Sequence, residues 1–148
     1  MLCVIGCGNS TRSDDGVGVY VAQALRAQLQ RNPQSDVLIF DAGTGGMDVM
    51  FQARGARRLI IVDASKSGSE AGAVFRVPGR ELESEPDAGF SLHDFRWQHA
   101  LTAGRKIFGA DFPSDVIANG KFGSFFAPMM PTRERSGTIS FRSWSRFP

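Results

Sequence analysis

Three short segments, far apart in the chain, each leave an ionisable side chain where a strand should end. The first is Gly6-Cys7-Gly8-Asn9-Ser10-Thr11-Arg12-Ser13-Asp14-Asp15-Gly16-Val17-Gly18-Val19. The second is Leu59-Ile60-Ile61-Val62-Asp63-Ala64-Ser65, and the third is Ser91-Leu92-His93-Asp94. Open parallel sheets bind ligands in the crevice outside the carboxyl ends of their strands. Two carboxylates and an imidazole meeting there, Asp15, Asp63 and His93, would form a metal-binding or hydrolytic site.

Each residue also has a bland reading. Asp14 or Asp15 can cap the following helix, but a cap needs only one carboxylate and leaves its neighbour free. Asp63 closes an apolar run, where a charge is costly unless paired, metal-bound or solvated; it can instead cap loop backbone near Ser65 or Lys66. His93, one of two histidines, could be a surface or satisfied core residue, with His99 in a predicted helix six positions on. Asp41 also follows a predicted strand and precedes glycines, which suits a supporting residue or a substrate contact. Gly6-Cys7-Gly8 invites a dinucleotide-binding reading, but Thr11 stands where a third glycine is needed. Asp14 and Asp15 would repel a pyrophosphate at that helix start.

The elements that must position these residues are legible from periodicity. Leu2 to Ile5 is a short apolar run closed by Gly6, a buried strand. From Gly16 to Gln30, Val17, Val19, Val21, Ala22, Ala24, Leu25 and Leu29 form a helical stripe, with Arg26 and Gln28 outward. Asp36–Phe40 is the second strand, followed by a turn over Asp41–Gly46 and a short helix over Met47–Ala53. In that helix Met47, Met50 and Phe51 are assigned to the core. Leu59–Val62 is a third buried strand and Ala73–Val77 a further one, closed by Pro78-Gly79. Residues 80–89 read as a surface loop. A helix runs over Phe95–Phe108, capped by Ser91 or Asp94, with Trp97, Ala100, Leu101 and Ile107 as its apolar positions. Asp115–Ala118 opens another strand.

Alternation of strands and helices predicts an α/β fold: one three-layer domain, with a twisted, mostly parallel sheet between helices. That domain is assigned to residues 1–118. Residues 119–148, without usable period apart from a possible strand over Gly137–Trp144, form a divergent basic tail. Prolines at 128, 131 and 148 and glycines at 120, 123 and 137 break the windows a closing helix would need. Exposure of Phe125, Phe126, Phe141 and Trp144 would follow.

A chain of 148 residues with 42% hydrophobic and 22% charged content is globular and long enough to bury a core. Residues 1–120 carry 12 Lys/Arg against 14 Asp/Glu, whereas residues 121–148 carry 5 against 1. The body therefore lacks the phosphate-neutralising face of a nucleic-acid binder. Cys3 and Cys7, four residues apart on one strand, cannot bridge without bending it, so they read as buried apolar and turn residues rather than a disulfide or soft ligands. The opening Met-Leu-Cys-Val-Ile-Gly lacks the basic and long apolar parts of a signal peptide, and no apolar run approaches a membrane span. A cytoplasmic protein without membrane or nucleic-acid partners is the expectation.

In order and spacing, these segments resemble the hydrogenase maturation proteases. Gly8-Asn9 with Asp14-Asp15-Gly16-Val17-Gly18-Val19 is similar to that family's opening, and Asp41-Ala42-Gly43-Thr44 to its Asp-Gly-Gly-Thr-like turn, with Ala42 in place of a glycine. Val62-Asp63-Ala64, Ser67-Gly68 and Ser91-Leu92-His93-Asp94 continue the resemblance through about residue 117. The resemblance implies a peptide-bond hydrolase, aspartic-type or metal-assisted, that removes the C-terminal extension of a nickel–iron hydrogenase large-subunit precursor after nickel insertion. Asp15, Asp63 and His93 would then be the catalytic and metal-contacting residues, with nickel presented by the substrate and no organic cofactor. Family members end in a strand, loop and helix, which residues 119–148 do not match. Two other functions compete. Peptidyl-tRNA hydrolases share a strand–Gly–Asn opening but require a histidine near position 20 and a basic surface, both missing. A non-catalytic homologue would bind metal or partner without cutting.

Overall fold

The computed structural model describes residues 1–64, 73–82 and 96–121. Eight main elements follow one another: β1 (Leu2–Cys7), α1 (Val17–Arg31), β2 (Val37–Gly43), α2 (Gly46–Ala53), β3 (Arg58–Ala64), β4 (Val74–Pro78), α3 (Trp97–Phe108) and β5 (Asp115–Lys121). The strands form one sheet in the order β2-β1-β3-β5-β4. β1, β2, β3 and β5 are parallel; β4 runs antiparallel against β5 at the edge. Pro78 falls on that edge strand, where its missing N–H costs no ladder bond.

The period-2 pattern of the inner strands separates the two faces. Cys3, Ile5 and Cys7 of β1, Leu59 and Ile61 of β3, and Val116 and Ala118 of β5 share one core with Val49, Met50 and Ala53 of α2 and Trp97, Ala100 and Leu101 of α3. Val17, Val19 and Ala22 of α1 are buried outside that cluster, against β1, β2 and β3. The predicted three-layer α/β arrangement is therefore the observed one: α1, sheet, then α2 with α3.

Several sequence-based boundaries shift. β2 continues through Asp41 to Gly43 instead of turning at Asp41, because it stays paired to β1 at Gly6↔Asp41 and, past an irregularity, at Cys7↔Gly43. β3 runs on to Ala64, since β5 extends to Lys121 and pairs with Asp63 and Ala64. The sheet thus passes the boundary drawn at residue 118. The first helix is preceded by a 3₁₀ turn over Ser13–Gly16, and no side-chain cap bond comes from Asp14 or Asp15. α3 starts at Trp97; Arg96 N–H donates to His99 Nδ1 at 3.1 Å, while Ser91 and Asp94 lie outside the described residues.

Four apolar assignments also change. Met47, Phe51 and Ile107 are exposed, as is Ala24. Helical spacing locates a stripe but does not say how wide a strip its neighbours cover. Most of the acidic loop, Ser67-Gly68, and the tail from residue 122, including the possible strand over 137–144 and the four aromatic residues expected to be exposed, lie outside the described residues. No described helix is long and apolar enough to cross a membrane.

Candidate functional site

The chain leaves β1 toward β2 on one side and later returns to β3 on the other side of β1. The carboxyl ends of β1 and β3 therefore flank the point where connections diverge, the usual crevice of an open parallel sheet. Two glycines let α1 descend onto this junction. A Cβ on Gly18 would be driven into the carbonyl oxygens of Cys7 and Val62, and one on Gly6 into the carbonyl of Gly18. Backbone rests on backbone here, so the glycine-rich opening serves close helix–sheet packing.

The loop between β1 and α1 is folded by its own polar groups. Asn9 Oδ1 accepts from Thr11 N–H at 3.0 Å and from the Thr11 hydroxyl at 2.7 Å. Asn9 N–H donates to the Asp15 carbonyl at 3.0 Å, and Asp15 N–H to the Arg12 carbonyl at 2.8 Å. Gly8 has φ +124°, and a Cβ there would collide with the Asp15 carbonyl while standing 3.7 Å from Asp63 Oδ1. Gly8 is thus required twice, for its backbone conformation and for the approach of the Asp15 segment to β3. The structure brings Asp15 and Asp63 to the same edge of the sheet.

Asp63 continues the alternation of Leu59 and Ile61, so its side chain faces the α3 side. Its Oδ1 accepts from Ala64 N–H at 2.8 Å and its Oδ2 from Trp97 Nε1–H at 2.7 Å. Burial pushes the Asp63 carboxyl above the ordinary carboxylate range. The charge of Asp15 pushes the same way, while the two hydrogen bonds and Arg96 oppose it. The expected cap on Ser65 or Lys66 falls outside the described residues; the backbone partner observed is Ala64.

Asp41 Oδ1 accepts from Gly43 N–H at 3.0 Å, closing the end of β2 locally. Burial, then the charges of Asp63 and Asp41, raise the Cys7 thiol far above its ordinary value. Burial raises Cys3 to about 11, and its Sγ lies 3.6 Å from the Gln52 carbonyl. Both cysteines are free, buried and protonated at neutral pH, as their reading as apolar residues requires.

His93 lies outside the described residues. Among the described residues, no three His, Cys, Asp or Glu side chains are grouped closely enough to hold a metal. The two carboxylates alone offer oxygen donors suited to a divalent ion, in a partial shell that leaves positions for other ligands. Trp97 and Arg96 are the site residues that sequence reasoning missed. Trp97 was assigned only a core position, and its place just after the Ser-Leu-His-Asp segment was the available signal. A groove of about 670 Å³ lies at the opposite, amino ends of β3 and β5, beside Arg57, Arg80 and Asp115. It is far from the converging carboxylates, so sheet topology and charge, rather than cavity size, locate the candidate site.

The sequence profile of the hydrogenase maturation proteases matches residues 19–119, more than half of the chain. The chain belongs to the hydrogenase maturation protease family. It is 31% identical over 121 residues to the hydrogenase 2 maturation protease of Escherichia coli K12, covering 80% of this chain and 71% of that protein. It is 29% identical over 120 residues to the hydrogenase expression/formation protein HupD of Thiocapsa roseopersicina, covering 80% of this chain and 52% of HupD. Against HupD, as against several other curated relatives, the chain spans only about half of the relative's length. The fold is shared with the [NiFe] hydrogenase maturation protease HycI of Thermococcus kodakarensis KOD1, with TM-score 0.62 at 23% identity over 83% of this chain and 74% of that one. It is shared equally with the hydrogenase maturating endopeptidase HybD of E. coli, with TM-score 0.62 at 22% identity over 86% and 76%. Membership of this family leaves the peptidyl-tRNA hydrolase alternative without support.

Proposed function

We propose that this maturation protease homologue is an endopeptidase that removes the C-terminal extension of a nickel–iron hydrogenase large-subunit precursor after nickel insertion. What supports this most is the convergence of Asp15 and Asp63 at the carboxyl ends of β1 and β3, with Asp63 raised in proton affinity by burial and by Asp15. On this reading nickel belongs to the substrate, and Asp15, Asp63 and His93 recognise it. Two carboxylates and an imidazole complete a mixed oxygen and nitrogen donor set suited to a divalent first-row ion. A carboxyl shifted upward also exchanges protons nearer neutral pH, which suits Asp63 to receive the proton of an attacking water. No organic cofactor is needed for peptide hydrolysis by this route, and the action is proposed to take place in the cytoplasm.

The test is incubation of the purified protein with nickel-loaded and nickel-free precursor, followed by intact-mass measurement. Mass loss confined to the loaded precursor is the expected result. Equal cutting of both forms would remove nickel as the recognition signal. No cutting of either would favour the non-catalytic homologue.

A further inference from the structure

We infer that Trp97 is a positioning residue, whose indole N–H fixes the Asp63 carboxylate in the orientation needed to receive the metal-bearing substrate. The inference rests on the proposed function above.

The argument begins with strand alternation. Leu59, Ile61 and Asp63 fall on one face of β3, and Leu59 and Ile61 share one buried core with Trp97, Ala100 and Leu101 of α3. Trp97 is the first residue of α3, only 8% exposed, and packed in one core with Ala100, Leu101, Leu59 and Ile61. Those neighbours limit its ring to shifts of tenths of an ångström, so the 2.7 Å bond from Nε1–H to Asp63 Oδ2 restrains the carboxylate against the core. The bond from Ala64 N–H takes the other oxygen at 2.8 Å. With one donor on each oxygen, the plane of the carboxylate is set.

A carboxylate offers about four lone-pair positions, so each oxygen keeps one for a further partner. An unanchored aspartate would have to order its two side-chain torsions when it engaged a metal. The Trp97 bond removes that freedom beforehand, as hydrogen bonds behind metal ligands generally do, and loss of such a bond typically lowers metal affinity about 10–100-fold. Indole is a donor only, so this contact has a fixed direction and needs no proton assignment.

The chain contains two tryptophans, which makes position 97 separately addressable. In a Trp144→Phe chain, Trp97 can be replaced biosynthetically by benzothienylalanine, which keeps the bicyclic shape and puts sulfur in place of N–H. Two measurements follow. The Trp97 indole N–H resonance of the Trp144→Phe chain should exchange slowly with solvent, and Asp63→Ala should shift it and speed that exchange. An unchanged resonance in Asp63→Ala overturns the inference. Nickel(II) binding by calorimetry should weaken about 10–100-fold on replacement by benzothienylalanine, with the melting temperature nearly unchanged. Equal nickel affinity in the two chains overturns it as well. If the Trp144→Phe chain itself binds no nickel, metal recognition by this protein fails, while the indole resonance still records whether Trp97 holds Asp63.

Discussion

The two faces of the sheet are fastened by different means. On the α1 face, Gly6 and Gly18 let helix and strand backbones touch, leaving no room for a single methyl group. On the α2/α3 face, side chains such as Ile5, Leu59, Ile61 and Leu101 interdigitate. The backbone contact brings the Asp15 segment against β3 with little freedom. The side-chain contact carries Trp97 to Asp63. The two carboxylates therefore reach one edge of the sheet through two kinds of packing, one unable to yield and one able to relax. Atoms bonded into a ladder cannot move aside, but a ring or branched side chain can shift by tenths of an ångström.

The largest expected effect tests whether both deliveries matter. Asp15→Asn and Asp63→Asn should each lower precursor processing by about 10²–10⁴-fold, the range in which acid–base groups contribute. Circular dichroism should show both variants folded, since shape is nearly preserved. If Asp15→Asn processed the precursor normally while Asp63→Asn did not, the α1 face would be structural only.

Next in size is Gly18→Ala. The new Cβ meets the carbonyl oxygens of Cys7 and Val62, both held in strands. Overpacking costs about 1–3 kcal/mol where neighbours can adjust and more where they cannot. A net loss of about 3 kcal/mol or more is expected by urea denaturation, despite the roughly 1 kcal/mol that alanine gains over glycine within a helix.

Gly104→Ala is the matched experiment on the other face. Its Cβ would meet the ring of Phe112, which stacks on Phe108 at 6.4 Å between ring centroids. A ring can tilt where a ladder carbonyl cannot. After the same helical gain, a net loss of about 1 kcal/mol is expected. Equal losses at Gly18 and Gly104 would erase the contrast between the faces.

This contrast also explains what was legible in the sequence. Leu59–Val62 and Leu2–Ile5 reveal themselves because parallel strands buried on both faces are continuous apolar runs. Gly6-Cys7-Gly8 stands out in the sequence as a glycine-rich opening, but the close backbone approach it serves together with Gly18 is visible only in the structure. The bond between Trp97 and Asp63 joins residues 34 apart in sequence, across an intervening strand and segment, and no local pattern encodes it. Strand ends were misplaced for a related reason. Asp41 and Asp63 look like loop residues by type, yet pairing with Gly6 and opposite Gly120 keeps them in the ladder.

The smallest expected effect concerns pH, and it separates the two carboxylates by their surroundings. Burial, reinforced by the charge of Asp15, holds the Asp63 carboxyl above its ordinary value in the folded protein. In the unfolded chain the group titrates near about 3.9. The folded state therefore binds this proton more tightly, and stability falls with rising pH wherever the folded state holds more protons. The contribution of Asp63 is full below the unfolded value and is lost as pH rises through the folded value. Asn at position 63 has no such titration. In metal-free buffer, the melting temperature of the unsubstituted chain minus that of Asp63→Asn should be larger at pH 4 than at pH 7. Because the difference cancels the titration of other carboxylates, its sign belongs to Asp63. A difference that grows with pH would mean that the hydrogen bonds from Trp97 and Ala64 outweigh burial, and that Asp63 is held as a stable anion by the α3 face.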